Sequence, residues 1–286
     1  MTSRRRLPLT CLTVALIGAC SRAEHSAERN AGPNVPVLID VGGHRLEARL
    51  AGQGKPTVVF ESGFVAGLKV MTPLQDDIAK HTSTVAYSRA GLGASEPGPE
   101  PRTASQISQE LHIVLDKLGI REPVIIVGHS AGGMFERVFA NRFPDRVAGL
   151  VLVDPATEEG YEHWRTTDRG HWAGFEEEVR RKYDPPSGWY GQWRALPQSI
   201  DEARAAWPLP SVPTVVFTAL VPTPDEWILA NDARIQVWLK GHRNLVARVP
   251  HAKHVVVGSA DHMSILNNAE LKRTILETVE TVRAAH

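Results

Sequence analysis

The chain has 286 residues, 42% hydrophobic and 22% charged, enough to bury a sizeable core as one large domain, alone or with an insertion. Lys plus Arg and Asp plus Glu number 32 each, so no net positive field points to nucleic acid as a partner. Fixed-period repeats and long low-complexity tracts are absent, which excludes solenoid and fibrous classes.

At the start of the chain, Arg4-Arg5-Arg6 precedes an uncharged stretch from Leu7 to Ala19, then Cys20 and a polar run from Ser21 to Asn30. A basic head, a short apolar segment and small residues before a cut describe a secretory signal over residues 1–19. Thirteen helical residues would reach about 20 Å, short of the roughly 30 Å hydrocarbon core, so this is a poor permanent membrane span. The stretch Leu16-Ile17-Gly18-Ala19-Cys20 resembles a bacterial lipobox, with Gly18 the less usual residue two before the Cys. That resemblance implies that Cys20 becomes the lipidated first residue; cleavage near Ala19 or Ala23, with Cys20 incidental, is the alternative. Ser3-Arg4-Arg5-Arg6-Leu7 has a weak likeness to a twin-arginine export signal, and either route leads to the cell envelope, periplasm or outer membrane.

Cys11 lies in the segment to be removed, so the exported chain has no internal disulfide and no thiol nucleophile. Losing residues 1–19 takes away three Arg and no acid, leaving 29 basic side chains against 32 acidic. The expected membrane partner is therefore reached through acyl chains and not through a polybasic patch. Residues 20–35 read as a tether and 36–286 as the folded part; no feature sets the oligomeric state.

From residue 36 the pattern is strand, turn, strand: Val37 to Val41, Gly42-Gly43, then Arg45 to Leu50, an opening antiparallel hairpin. Apolar, β-branched runs follow at Thr57 to Phe60, Thr84 to Tyr87, Val124 to Val127, Val147 to Val153, Thr214 to Phe217 and Val255 to Val257. Continuous apolar runs of this length are the mark of parallel strands buried on both faces. Helical spacing separates some of them: Ile107, Leu111, Val114, Leu115 and Leu118 share a face behind a capping box at Thr103 and Gln106. Leu271, Ile275, Val279 and Val282 mark a closing amphipathic helix. The sum is an eight-stranded, mostly parallel α/β sheet covered by helices on both sides.

One interval breaks the alternation. Residues 156–211 hold no clear strand but carry Trp164, Trp172, Trp189, Trp193 and Trp207 with Tyr161, Tyr183 and Tyr190. So long a connection needs structure of its own, and a helical cap inserted after the sixth strand is expected there. Its aromatics serve either as the cap's own core or, together, as an apolar roof over a cleft.

Gly128-His129-Ser130-Ala131-Gly132 joins the strand at Val124 to Val127 to a helix beginning near Ala131. Gly-x-Ser-x-Gly at a strand-to-helix junction is a nucleophile elbow: the tight turn needs small flanking residues and lifts the hydroxyl above the sheet edge. Val58 to Phe64, Tyr87 to Ser95, the Gly128–Gly132 elbow and Gly258-Ser259-Ala260-Asp261-His262 follow one another in the order of the α/β-hydrolase superfamily, which the chain resembles over residues 36 to 284. The resemblance implies a serine hydrolase that needs no cofactor or metal and acts on a small-molecule ester, with Ser130 as nucleophile and His262, after the last strand, as base. It also implies an oxyanion hole from the backbone amides of Ala131 and Phe64. Two acids remain open: Asp154, at the end of the sixth strand, needs no shift from a family position, whereas Asp225 comes slightly late after the seventh. Asp261 reads as local. His129 is expected to point away from the site, and His251 and His254 lack the acidic or Cys neighbours of a metal site. Where the family commonly has His-Gly this loop reads Glu61-Ser62-Gly63, and Glu61 could bring charge near the centre. Amide, lactone or carbon–carbon cleavage, cofactor-free peroxidation, and ligand binding without turnover are the alternatives on the same framework.

Overall fold

Each of the expected β-branched runs forms a strand: β1 Val37–Asp40, β2 Arg45–Ala51, β3 Val58–Glu61, β4 Thr84–Tyr87, β5 Val124–His129, β6 Val147–Val153, β7 Thr214–Ala219 and β8 Lys253–Val257. They hydrogen-bond in the order β1-β2-β4-β3-β5-β6-β7-β8, with β2 antiparallel to β1 and β4 and the other pairs parallel. Strands β5 and β7 run two residues past their apolar stretches because the ladders continue, His129 pairing with Val153 and Ala219 with Val257. The computed structural model describes residues 34–64, 66–182, 188–224 and 229–285, all within a unit spanning Pro33–His286. The expected signal segment, Cys20, nearly all of the tether, Tyr183 and Asp225 lie outside the described residues.

Alternation along the strands sorts side chains to two faces. Val58, Phe60, Ile125, Val127, Val151 and Val153 pack with Leu74 and Ile78 of helix α1 (Thr72–Ile78) and with Leu271, Ile275 and Val279 of helix α9 (Ala269–Ala284). Their neighbours Val59, Val124, Ile126 and Leu150 pack the other way, against α2 (Ala104–Lys117) and α3 (Ala131–Arg142) through Leu111, Val114, Leu115 and Phe139. Each such fully buried side chain contributes about 1.5–3 kcal/mol, which is what holds the strand ends in fixed register. At the start of α2 only half of the expected capping box forms. Thr103 accepts the Gln106 amide at 3.3 Å, but the Gln106 side chain reaches forward to Glu110 at 3.0 Å, since that carboxylate is already held in place by Arg102.

Between β6 and β7 the described residues form four helices, α4 (Glu158–Thr167), α5 (Arg169–Lys182), α6 (Gly188–Arg194) and α7 (Leu196–Ala205). Tyr161, Trp189, Trp193, Leu196 and Ile200 form one cluster with Ile107, Met134, Phe135 and Val138 beneath them. Trp207 is not part of it. It packs beside Leu152, Val216 and Leu245, with the Arg248 guanidinium 3.8 Å above its ring. Between β7 and β8 runs α8 (Asp232–Arg248), capped by the Asn231 side chain and burying Ile235, Trp238, Leu239, His242 and Leu245. Among the described residues no helix is long and apolar enough to cross a membrane.

Candidate active site

Ser130 sits between β5 and α3 at φ 55, ψ −127, in the left-handed half of backbone space that costs a non-glycine residue about 1–3 kcal/mol. Three backbone bonds hold it there: its N–H donates to Val153 O at 3.1 Å, and its carbonyl accepts from Gly133 at 3.0 Å and Ala156 at 2.8 Å. No side-chain capping bond uses the Ser130 hydroxyl at the start of α3. The flanking glycines are needed for closeness. A Cβ on Gly128 would lie 2.9 Å from Gly133 Cα, and one on Gly132 would lie 2.7 Å from the carbonyl oxygens of both Glu61 and Ser62. The elbow is thereby pressed onto the loop after β3, and Gly63 of that loop abuts Ser130 itself, a Cβ built there lying 3.4 Å from Ser130 Oγ.

Asp154 follows β6 at φ 45 and is completely buried. One carboxylate oxygen accepts the Ala219 N–H at 3.0 Å; the other accepts from His262 Nδ1 at 2.6 Å. With Nδ1–H donated to Asp154, the lone pair of the neutral His262 ring resides on Nε2. Burial pushes the Asp154 pKa up, but the bond from His262, the charges of His262 and His242 and the Ala219 amide together hold it below the ordinary 3.8. Asp154 therefore stays ionised at neutral pH.

His129, expected to point away from the site, lies against His262 of this pair. Its Nε2 meets the His262 carbonyl oxygen at 2.8 Å and its ring centroid lies 4.5 Å from that of His262. The end of β5 faces the loop after β8 across the sheet edge, and a buried donor there satisfies a backbone carbonyl. Burial, then repulsion from His262, lowers its pKa to about 3, so His129 is a neutral strut. Asp261 is local: its carboxylate accepts the Met263 and Ser264 amides at 2.9 and 2.7 Å. His254 Nε2 and His242 Nδ1 each lie 2.7 Å from Thr218 Oγ1, and His242 Nε2 lies 2.7 Å from Pro155 O, pinning the turn next to Asp154.

Aromatic rings enclose the centre. Phe64 meets Phe135, Tyr161 and Trp193 edge to face at 5.9, 6.1 and 6.1 Å, and Trp238 stands edge to face with His262 at 6.2 Å. Glu61 brings no net charge toward Ser130, because it is buried against Arg89 in an ion pair. Sequence reasoning missed Arg89, Glu136, Gln192, Trp238 and His242. For the last two a signal was present: Ile235, Trp238, Leu239, His242 and Leu245 recur at helical spacing behind Asn231. Arg89 lay inside a recognised loop motif, but nothing local says what a guanidinium will touch.

The layered sheet, the elbow and the buried carboxylate–imidazole pair define an α/β protein of hydrolase type. A family model described as the alpha/beta hydrolase fold matches residues 56–182, and the eight-stranded, mostly parallel sheet with its flanking helices has that fold. The Bacillus subtilis (strain 168) protein YqjL is 33% identical over 105 residues, which are 37% of this chain and 42% of YqjL. The matched stretch spans less than half the length of the curated relatives it aligns with. Among solved structures, an esterase from Thermogutta terrifontis shares the fold at TM-score 0.59 and 18% identity, covering 87% of this chain and 99% of that one. The enol-lactonase from Burkholderia xenovorans LB400 does so at TM-score 0.62 and 20% identity, covering 85% and 100%.

Proposed function

We propose that the protein is a serine hydrolase that cleaves a carboxylic ester of a small or moderately apolar substrate through an acyl-enzyme. The reading is carried by one observation: a buried Asp154–His262 pair at 2.6 Å stands over the sheet edge where Ser130 is held at φ 55. In the proposed cycle His262 Nε2 takes the Ser130 proton as Oγ attacks the ester carbonyl carbon, and Asp154 steadies the imidazolium. The Ala131 and Phe64 amides receive the developing oxyanion. Collapse of the tetrahedral adduct expels the alcohol, which takes the proton from His262; water then repeats the sequence and releases the acid. This chemistry uses side chains, backbone and water alone. The aromatic surround of Phe64, Tyr161, Trp193 and Trp238 favours an apolar acyl or alcohol group.

The test is labelling of the mature protein with a fluorophosphonate probe beside Ser130→Ala and His262→Ala. Labelling confined to the wild type supports the reading, and an unlabelled wild type overturns it. We further propose export as a lipoprotein through Cys20, on the strength of the basic head, the short apolar segment and the lipobox-like residues before it. Cys20→Ser would release the protein from the membrane fraction; unchanged fractionation refutes the anchor.

A further inference from the structure

We propose that Arg89 is the positioning residue of the oxyanion hole, and that its bond to Gln192 makes the geometry of that hole depend on the seating of cap helix α6. The proposal rests on the serine-hydrolase reading above and gives roles in it to Arg89 and Gln192.

Arg89 follows β4 and is buried to 1% exposure, with its guanidinium carbon 5.2 Å from the centre of the Phe135 ring. A guanidinium has five N–H donors in a fixed plane, and here each has an acceptor. Nη1 donates to Glu61 Oε1 and to Ser62 O, the latter at 2.7 Å. Nη2 donates to Gly63 O at 2.5 Å and to Phe64 O at 3.1 Å. Nε donates to Gln192 Oε1 at 2.8 Å. Three successive carbonyls of the loop after β3 thus converge on one cation.

The consequence follows from peptide geometry. In a planar trans peptide the C=O and N–H point in opposite directions. Holding the Gly63 carbonyl on Nη2 therefore turns the Phe64 N–H away from Arg89, in the loop whose Gly63 abuts Ser130. An oxyanion donor acts through alignment, and misdirecting one costs about 10²–10³ in kcat when the donor is lost outright. The bound carbonyls also accept from a cation, which polarises their peptides and strengthens the opposite N–H as a donor.

Gln192 extends the arrangement to the cap. It lies on α6, which is pressed onto the segment after Arg89: the Gly188 N–H donates to Gly91 O at 3.4 Å, and a Cβ on Gly188 would overlap the Ala90 carbonyl. Withdrawal of α6 removes the Nε acceptor and leaves the orientation of the guanidinium to Glu61 and the three loop carbonyls alone. A productively aligned Phe64 amide then goes with a seated cap.

Arg89→Lys keeps the charge opposite Glu61 but offers three donors from one point, and Gln192→Ala removes only the cap acceptor. Both are assayed on p-nitrophenyl esters and with a trifluoromethyl ketone, whose hemiketal oxyanion occupies the hole. Arg89→Lys is expected to lose about 10²-fold in kcat and Gln192→Ala about 3–10-fold, with KM within about twofold of wild type. The Ki of the ketone should rise in proportion to the loss in kcat/KM. Wild-type rate and Ki in Gln192→Ala overturn the coupling to the cap, and wild-type rate and Ki in Arg89→Lys overturn the positioning role. A parallel rise of KM and Ki at constant kcat also overturns it, since that is the mark of uniform binding. Should Arg89→Lys not fold, Gln192→Ala decides. A wild type that neither labels with fluorophosphonate nor turns over esters refutes the serine-hydrolase reading itself, a result separate from all of these.

Discussion

Replacing Asp154 by Asn probes the proposed base without changing the shape of the site. Its two carboxylate oxygens have different partners, the Ala219 N–H at 3.0 Å and His262 Nδ1 at 2.6 Å. An asparagine in this place has one acceptor oxygen, and the fixed backbone donor of Ala219 claims it; the reverse orientation would set the amide NH2 against an N–H. The NH2 group therefore faces Nδ1, which must present its lone pair, and the ring proton moves to Nε2. That tautomer cannot accept the Ser130 proton. In the serine-protease triad the same substitution lowers kcat by about 10⁴, so a loss of about 10³–10⁴ in kcat/KM is expected here, about 4–5 kcal/mol in transition-state stabilisation. The assay is ester turnover in Asp154→Asn beside Asp225→Asn, with circular dichroism to confirm that both fold. Activity in Asp154→Asn within tenfold of wild type would refute the reasoning, and a large loss in Asp225→Asn alone would transfer the role to that residue.

Glu136 is completely buried, and burial followed by the neighbouring Glu61 pushes its pKa well above the ordinary 4.5. A raised acid is fully stabilising below about 4.5, where the unfolded chain is also protonated, and that contribution is lost as pH climbs toward the folded-state value. Glu136→Gln should therefore lose less stability than wild type as pH rises above about 4.5 in urea titrations, and parallel curves would contradict the raised Glu136 pKa. Gly132→Ala places a Cβ 2.7 Å from two backbone oxygens of the loop after β3, so a loss of about 1–3 kcal/mol and a lower melting temperature are expected, with activity reduced. A wild-type melting curve would count against that close approach. His129→Phe leaves the His262 carbonyl without its 2.8 Å partner; about 1–3 kcal/mol of stability should go, measurable by chemical denaturation, and no change would mean that water replaces the ring.

Much of the fold was legible because its signals are local. The six apolar runs, the opening hairpin and the cap interval each follow from composition over a few residues. The elbow was legible for the same reason: strand, Gly-x-Ser-x-Gly and helix are contiguous, and the crowding that demands Gly128 arises within that turn, whereas that at Gly132 comes from the loop after β3. Helix α8 was missed although its apolar spacing was present and Asn231, Asp232, Arg248 and Pro250 frame it.

The sequence by itself thus determined the layer architecture, the serine at the strand end and the histidine after the last strand. Only the tertiary structure decided which carboxylate meets that histidine, since Asp154 and His262 stand 108 positions apart and come together through the order of β5, β6, β7 and β8. It also decided that His129 braces the His262 loop, that Glu61 is neutralised, and that Arg89 gathers Ser62, Gly63, Phe64 and Gln192 around one guanidinium. The physical reason is common to all four. Backbone conformation is set by near neighbours, whereas the partners of a buried polar group are set by which distant segments the packed sheet brings within hydrogen-bond reach.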